Sequence, residues 1–349
     1  MDAPLLDPLS LPAPNPAISV RRVLRIPGRI ARMRALTHDT YEVVVASAAG
    51  SPPLHARAGQ FATLTVMGMK QPRPYSFARD PRSETPGEHT FYLRLVPGGE
   101  MSMWLAACDR IGESVELTGP LGAFTLDDSR MPMLLLAGGS GMSAVKALAE
   151  EACRRQLQRD CLFLYGARTR ADLYAEAEIA DLIRRWSRGH RLRFVQVLSD
   201  EPRDSAWAGA RGLVTDYLRT HFLAREDWTK GSFKAWLCGP PPMVDAGVAA
   251  LRQHGLSASH IHLDVFADLR SPAPVIDDRQ CALCDECLLV RPVADCIVEI
   301  SATGGAQGHT RLAPLKTAGL YYNSLMIDES RCIRCYACLK ACPHGAISV

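Results

Sequence analysis

The sequence predicts a multidomain fold: an antiparallel β-barrel, then an α/β domain with a parallel sheet, then a small α+β domain rich in cysteine. Residues 21–128 contain short alternating apolar runs broken by glycine and proline, a pattern typical of a small antiparallel barrel. In residues 129–268, apolar strands alternate with amphipathic helices, which favours a parallel sheet. Eight of the twelve cysteines lie within residues 280–349, after a predicted linker at residues 269–279.

The overall composition is that of a soluble protein, with 47% hydrophobic and 22% charged residues. The longest apolar run, around MPMLLLAGG, is far too short to span a bilayer, and a net charge of +3 gives no reason to expect nucleic acid as a partner. Residues 1–20 hold five prolines and no basic leader, so we expect a flexible tail and no secretory signal. Clustered cysteines without an export signal are typical of metal ligands in a reducing compartment. We therefore expect a cytoplasmic location.

In the barrel region, the segment RPYS at residues 73–76 lies between two predicted strands. Taken alone, Arg73 could be a surface residue, Tyr75 a half-buried side chain and Ser76 a turn residue. Further along, the segment PGGEMSMW places Gly99 in a glycine turn that leads into a short helix. The free amides at the start of such a helix can hold a pyrophosphate.

Two segments of the α/β region also indicate a nucleotide site. In MPMLLLAGGSGMSAVKALAEEA, a glycine turn joins an apolar strand to a helix, which lets a pyrophosphate approach the backbone and the positive end of the helix. The residues of this turn are Gly138, Gly139, Ser140 and Gly141. The segment CGPPPMV ends a predicted strand with Cys238, Gly239 and Pro240, and Met243 begins the next helix. Cys238 is either a site residue or a buried core thiol.

Residues 21–268 resemble the ferredoxin–NADP reductase superfamily, in which a flavin barrel precedes a nicotinamide-binding α/β domain. RPYS matches the family motif R-x-Y-S. The resemblance implies that Arg73 neutralises the flavin phosphate, that Tyr75 stacks on the isoalloxazine ring and that Ser76 lies near flavin N5. It also places Ser102 at the flavin pyrophosphate. FAD is expected rather than FMN because the phosphate-binding turn and helix are retained, although close relatives use FMN.

The same resemblance covers the α/β region. The glycine turn is similar to the family's G-T-G-x-A-P, without the proline, and CGPPPMV is similar to C-G-P-x-x-M. It implies that Cys238 lies beside the nicotinamide, which makes Ser76 and Cys238 the candidate catalytic residues. Phe266, in IHLDVFAD, matches the aromatic residue that shields the flavin.

The choice between NADH and NADPH depends on the segment LSDEPRD. Asp200 there can bond the ribose hydroxyls and would repel a 2′-phosphate, which favours NADH. Arg168, Arg170 and Arg211 are nearby in the sequence and favour NADPH. We expect NADH, with NADPH as the alternative.

The cysteine-rich region contains two groups of four cysteines. CIRCYACLKACP has the spacing C-x2-C-x2-C-x3-C-P, which is typical of iron–sulfur cluster ligands. CALCDECLLVRPVADC supplies a second triplet, with a longer gap before its fourth cysteine. Zinc and a mixed or degraded set of clusters are the alternatives, although zinc ribbons use separated pairs of cysteines and not triplets.

Residues 277–349 resemble the two-cluster bacterial ferredoxins. The resemblance implies two [4Fe-4S] clusters with crossed ligand sets, because the fourth cysteine of each group ligates the other cluster. The first set is Cys281, Cys284, Cys287 and Cys342, and the second set is Cys332, Cys335, Cys338 and Cys296.

A flavin accepts a hydride and can release electrons singly, which iron–sulfur clusters require. The chain thus resembles the reductase component of a multi-component oxygenase, with a separate metal-containing oxygenase component as the redox partner. Relatives in that role usually carry a [2Fe-2S] domain, so the identity of the partner stays open. Two alternatives remain: a low-potential donor that reduces the clusters so that the flavin forms NADH, and an electron-wire subunit of a larger complex.

Overall fold

The computed structural model describes residues 24–69, 72–224, 232–265, 273–277, 279–291, 296–300, 313–314, 321–322, 324–327, 332, 334 and 336–349. The expected proline-rich tail, Phe266, Cys335 and much of the expected linker lie outside the described residues. Within the described ranges, no helix combines the length and the apolar composition that crossing a bilayer requires.

The N-terminal part of the chain is a closed barrel. Its strands are β1 (Leu24–Ala35), β2 (Thr40–Ser47), β3 (Phe61–Val66), β4 (Arg73–Ser76), β5 (Glu88–Arg94) and β6 (Ser114–Leu121), with helix α1 (Glu100–Ala107) after β5. They form a six-stranded sheet in the order β4-β3-β6-β1-β2-β5, and every pairing is antiparallel. A bridge between Phe77 and Phe91 joins the two edges of the sheet and closes the barrel.

The two faces of the barrel strands pack against different cores, because successive strand residues point to opposite sides. Val43 and Val45 of β2 pack inside the barrel. On the outer face, Tyr92 of β5 packs in the core of the following α/β region, where its ring meets that of Tyr174 edge-on at 5.4 Å. The outer face of the barrel is therefore one wall of the cleft between the two sheets.

The second sheet is parallel and covered by helices on both faces. Its strands are β7 (Met133–Gly138), β8 (Cys161–Ala167), β9 (Leu192–Leu198), β10 (Ala210–Arg211), β11 (Lys234–Gly239) and β12 (Ile261–Val265). Its helices are α2 (Met142–Arg154), α3 (Glu176–Arg185), α4 (Val214–Tyr217), which continues as a π-helical turn over Leu218–Leu223, and α5 (Pro241–Gln253). The strand order is β10-β9-β8-β7-β11-β12. All residues of β7 are buried, as expected for a parallel strand between two helical layers.

The cysteine-rich region is a small α+β unit. Its elements are β13 (Val275–Ile276), α6 (Glu286–Val290), β14 (Ile297–Ile300), β15 (Ala313–Pro314), β16 (Tyr321–Tyr322), β17 (Ser324–Ile327), α7 (Ala337–Ala341) and β18 (Ile347–Ser348). β13 pairs with β18 and β14 pairs with β17, so each half of the region contributes a strand to the other half. The barrel, the parallel sheet and this α+β unit confirm the predicted fold class.

Candidate active site

Three polar side chains from different elements meet where the barrel touches the parallel sheet. Ser76 ends β4, Cys238 is the penultimate residue of β11, and Asp264 lies opposite Cys238 in the parallel register of β11 and β12. The Ser76 hydroxyl donates a hydrogen bond to Asp264 Oδ2 at 3.3 Å. The Cys238 thiol donates to the same oxygen at 3.7 Å. The fold thus brings together the two predicted catalytic residues through a carboxyl that the sequence analysis missed.

The surroundings of this triad disfavour charge. Burial raises the pKa of the Asp264 carboxyl to about 6. Burial, with the nearby Asp264 carboxylate, raises the pKa of the Cys238 thiol well above its ordinary value. Cys238 is therefore a neutral hydrogen-bond donor near pH 7, while Asp264 can change its charge close to neutrality. A signal for Asp264 was available, because it is one of the two acidic residues of the segment IHLDVFAD.

The glycine turn after β7 owes its glycines to three different constraints. Gly139 has φ +52°, and a Cβ there would make an ordinary contact at 3.7 Å with a nitrogen of Arg94. A Cβ on Gly141 would lie 2.1 Å from the carbonyl oxygen of Cys238, and a Cβ on Gly138 would lie 2.4 Å from the sulfur of Met243. A side chain at Gly141 would therefore collide with the backbone of β11, a side chain at Gly138 would displace the Met243 side chain of α5, and Gly139 adopts a left-handed φ that favours glycine.

A cavity of about 220 Å³ lies over this turn. Its lining includes the predicted residues Gly138, Gly139, Ser140, Pro240 and Met243. Gly239, at the end of β11, directly precedes Pro240.

The barrel also contributes to this cavity, which the sequence analysis did not anticipate. Arg94, the last residue of β5, lines it and donates a hydrogen bond to Asp39 Oδ2 at 2.7 Å. From the other side, the Tyr174 hydroxyl donates to the Gly139 carbonyl at 3.0 Å. A cation is thereby held beside the glycine turn.

The residues proposed to discriminate between the coenzymes lie just after the C-terminal ends of β8 and β9. Asp200 is exposed and accepts a hydrogen bond from Arg168 Nε at 2.9 Å. Arg168 lines the cavity. Arg211 donates hydrogen bonds to the carbonyls of Glu201, Pro202 and Trp207 and so holds its own loop together. Of the cations near Asp200, Arg168 is thus the one that borders the cavity.

The predicted flavin residues of β4 lie beside the start of α1. Arg73 Nη2 approaches Glu100 Oε2 at 3.7 Å, and Gly99 directly precedes α1. Ser102 Oγ accepts a hydrogen bond from the Val96 amide at 2.8 Å, which fixes the turn before the helix. Tyr75, whose phenol has a pKa raised by burial, packs against the barrel core. Arg73, Gly99 and Ser102 therefore lie close together around the start of α1.

The first predicted set of cluster ligands surrounds one cavity. Its lining includes Cys281, Cys284, Cys287 and Cys342. Burial raises the pKa of the Cys287 thiol to about 11, and its neighbours Cys281 and Cys284 add to the shift. Four cysteines that line one cavity fit a metal centre, which binds them as thiolates. The Ala346 amide donates to Cys342 Sγ at 3.3 Å, a contact typical of cluster loops.

Of the second predicted set, the described residues are Cys296, Cys332 and Cys338. Cys296 and Cys338 share the apolar core of this region with Cys287. The Arg334 amide donates to Cys332 Sγ at 3.4 Å. Both sets thus show an amide-to-sulfur contact within their binding loops.

Comparison with protein families identifies three segments. The oxidoreductase FAD-binding domain matches residues 27–126, the oxidoreductase NAD-binding domain matches residues 135–248, and the 4Fe-4S binding domain matches residues 325–348. These matches confirm the predicted classes of cofactor: FAD, a nicotinamide coenzyme and a 4Fe-4S centre.

Individual relatives agree with these matches. The xylene/toluene monooxygenase electron transfer component XylA of Pseudomonas putida is 35% identical over 237 residues, which are 68% of this chain and 64% of XylA. The chain thus spans less than two thirds of the length of XylA. The ferredoxin–NAD(P)(+) reductase component of the naphthalene 1,2-dioxygenase system of Pseudomonas putida is 30% identical over 69% of each chain. The crystal structure of the cytochrome P450 reductase GcoB of Amycolatopsis matches with a TM-score of 0.62 and 33% identity over 71% of each chain. The chain therefore belongs to the ferredoxin reductase family of FAD- and NAD-binding oxidoreductases, and it carries a C-terminal 4Fe-4S binding domain.

Proposed function

We propose that this chain is the NADH-dependent reductase component of a multi-component oxygenase. It would pass electrons from NADH through FAD and two [4Fe-4S] clusters to a separate oxygenase component. The observation that carries the proposal is the meeting of Ser76, Cys238 and Asp264 at the contact between an FAD-binding barrel and an NAD-binding sheet. The roles of XylA and of the naphthalene dioxygenase reductase support the choice of an oxygenase as partner.

The triad has the chemistry that a hydride-transfer site needs. Bound FAD converts the two-electron hydride of the coenzyme into single electrons. In our proposal, Ser76 and Cys238 bracket the reacting rings and Asp264 holds both side chains in position. Their hydrogen bonds to one carboxyl oxygen limit the rotation of both donors, and this pre-organisation lowers the cost of aligning the reactants.

We propose that the cavity over the glycine turn binds the coenzyme. The Gly139–Ser140 backbone would approach the pyrophosphate, and Arg94 would neutralise part of its charge from the barrel side. Asp200 would disfavour NADPH in two ways: it would repel a 2′-phosphate, and its ion pair with Arg168 occupies the cation that a phosphate would need. NADH is therefore the proposed coenzyme.

For the flavin, we propose FAD held by Arg73, Tyr75, Gly99 and Ser102 on the barrel, with Phe266 over the ring. The match to an FAD-binding domain supports FAD over FMN. We also propose the domain boundaries given by the sequence: a tail at 1–20, the barrel at 21–128, the nicotinamide domain at 129–268, a linker at 269–279 and the cluster domain at 280–349. The clustered cysteines support a reducing, cytoplasmic location.

The number of clusters is proposed to be two. The strand exchange between the two halves of the C-terminal region, β13 with β18 and β14 with β17, supports crossed ligand sets. Under this arrangement Cys342 joins the first triplet, with which it shares a cavity. Cys296 joins the triplet Cys332, Cys335 and Cys338.

The test is anaerobic stopped-flow reduction of the FAD-loaded protein by NADH. We expect Cys238→Ala to slow flavin reduction by about 100-fold, because the rings lose a side chain that positions them. Cys153→Ala is the matched control, since Cys153 is also a buried free cysteine but lies on α2, outside the triad. Equal rates in both variants would contradict the role of Cys238. If neither NADH nor NADPH reduces the flavin, the reductase function is refuted.

A further inference from the structure

The two halves of the cluster region share one backbone design. In the first triplet, Leu283 and Asp285 have φ values of +53° and +66°, and in the second, Arg334 and Tyr336 have φ values of +56° and +54°. Each pair flanks the middle cysteine of its triplet, and Asp285 and Tyr336 directly precede the short helices α6 and α7. Leu283 therefore corresponds to Arg334, and Asp285 corresponds to Tyr336.

The charges at these matched positions differ, because the second half has an arginine where the first has a leucine, and the first half has an aspartate where the second has a tyrosine. Arg334 is buried, with 6% of its surface exposed, and its guanidinium donates a hydrogen bond to the Cys332 carbonyl at 2.9 Å. At the matched position, Leu283 packs against the apolar core. Asp285, in contrast, lines the cavity of the first ligand set.

A second arginine contacts the backbone next to Cys296. The Arg291 guanidinium donates to the carbonyl of Ile297, the residue that follows Cys296. Cys296 belongs to the second proposed ligand set. Arg334 is thus bonded to the backbone of Cys332, Arg291 is bonded to the residue after Cys296, and Asp285 borders the cavity of the first set.

A reduced [4Fe-4S] cluster carries one more negative charge than an oxidised one. A nearby cation therefore stabilises the reduced form and raises the reduction potential, whereas a nearby anion lowers it. Solvent and salt screen buried charges much less than exposed ones, so the burial of Arg334 limits the screening of its charge. Arg334 remains charged at every pH at which the protein is folded.

We propose that the cluster held by Cys296, Cys332, Cys335 and Cys338 has the higher reduction potential, because Arg334 lies within its binding loop and Asp285 borders the other site. An electron that enters the domain then comes to rest on this second cluster, which makes it the donor to the partner. The exchange moves one electron from the first cluster to the second, and no proton or atom is transferred. The inference rests on the proposed presence of two clusters.

The test is an anaerobic redox titration of the full-length, cofactor-loaded protein at pH 8, followed by electron paramagnetic resonance of the reduced clusters. We expect two potentials in the wild type. Arg334→Leu, which copies the first half, should lower the higher potential by about 59 mV or more, a tenfold change in the equilibrium of a one-electron exchange. Arg334→Lys keeps the charge and should retain most of the difference between the potentials.

Asp285→Asn provides an independent measurement if Arg334→Leu fails to assemble its cluster. Asp285→Asn should raise the potential of the first cluster, which is the lower one, and so reduce the difference between the two potentials. The inference is overturned if Arg334→Leu shifts the lower potential, if it and Arg334→Lys have equal effects, or if Asp285→Asn shifts the higher potential. Iron analysis separates this failure from that of the proposed function: about eight iron atoms per chain with unshifted potentials would refute only the charge argument. About four iron atoms would refute the two-cluster proposal and this inference with it.

Discussion

The fold opposes ionisation of Asp264, and replacing this carboxyl by an amide should therefore stabilise the protein while impairing its site. Burial raises the pKa of Asp264 from its ordinary value of 3.8 to about 6. Because one pKa unit corresponds to 1.36 kcal/mol, ionisation of Asp264 costs the folded state roughly 3 kcal/mol at pH 8. Asp264→Asn removes this cost and keeps an oxygen that can accept the Ser76 hydrogen bond.

The sign of the effect depends on pH. Below about pH 4 the Asp264 carboxyl is protonated in both the folded and the unfolded chain. Its ionisation should then make no difference between the stabilities of the wild type and of Asp264→Asn. Between pH 4 and pH 6 the wild type loses stability, because only the unfolded chain ionises freely. Above pH 6 the advantage of the variant should be complete.

The assay is thermal unfolding of the FAD-loaded proteins from pH 5 to pH 8, with release of the flavin as the signal that reports unfolding. A change of roughly 3 kcal/mol in a unit of about 240 residues corresponds to a rise of roughly 6–12 °C at pH 8. The same variant should reduce its flavin more slowly, since Ser76 and Cys238 lose a charged acceptor. Asp200→Asn is the control: its carboxylate is exposed and paired with Arg168, so the melting temperature should change little. The reasoning is refuted if Asp264→Asn lowers the melting temperature at pH 8, or raises it equally at pH 5 and pH 8.

Other features of the chain lead to further measurable outcomes. Gly141→Ala should destabilise the folded protein by about 3 kcal/mol in chemical denaturation, because its Cβ would meet the Cys238 carbonyl at 2.1 Å; an unchanged midpoint would contradict the packing. Asp200→Ser should raise kcat/KM for NADPH about tenfold while changing that for NADH little, and a wild type that already prefers NADPH would show the coenzyme assignment to be wrong. Cys332→Ala should lower the iron content while FAD stays bound; a full iron content, or stoichiometric zinc in the wild type, would exclude Cys332 as a cluster ligand. A chain ending at Asp268 should still reduce ferricyanide with NADH, and loss of that activity with FAD bound would show that the domains depend on each other.

The family, the fold class and the classes of cofactor, which the sequence predicted correctly, rest on motifs that are encoded over short stretches of chain. The spacing of a cysteine triplet, the RPYS segment and the glycine turn after β7 each place their residues on one loop or one strand end. The spacing of hydrophobic residues along the chain also distinguished the barrel strands from the βα units. That spacing depends on whether an element buries one face or two, which is a local property. Family, fold class and classes of cofactor could therefore be predicted without coordinates.

The relations between distant segments required the tertiary structure. Asp264 and Ser76 are 188 positions apart, and only the parallel register of β11 and β12 brings the carboxyl to Cys238. Arg94 reaches the glycine turn because β5 ends at the contact between the two sheets. The ion pair of Asp200 with Arg168 joins the ends of two neighbouring strands, β8 and β9. It leaves Arg168 less available to bind the 2′-phosphate of NADPH. Local spacing determines which chemical groups a loop can offer, but the packing of strands that are remote in sequence decides which groups meet and how strongly burial shifts their charge.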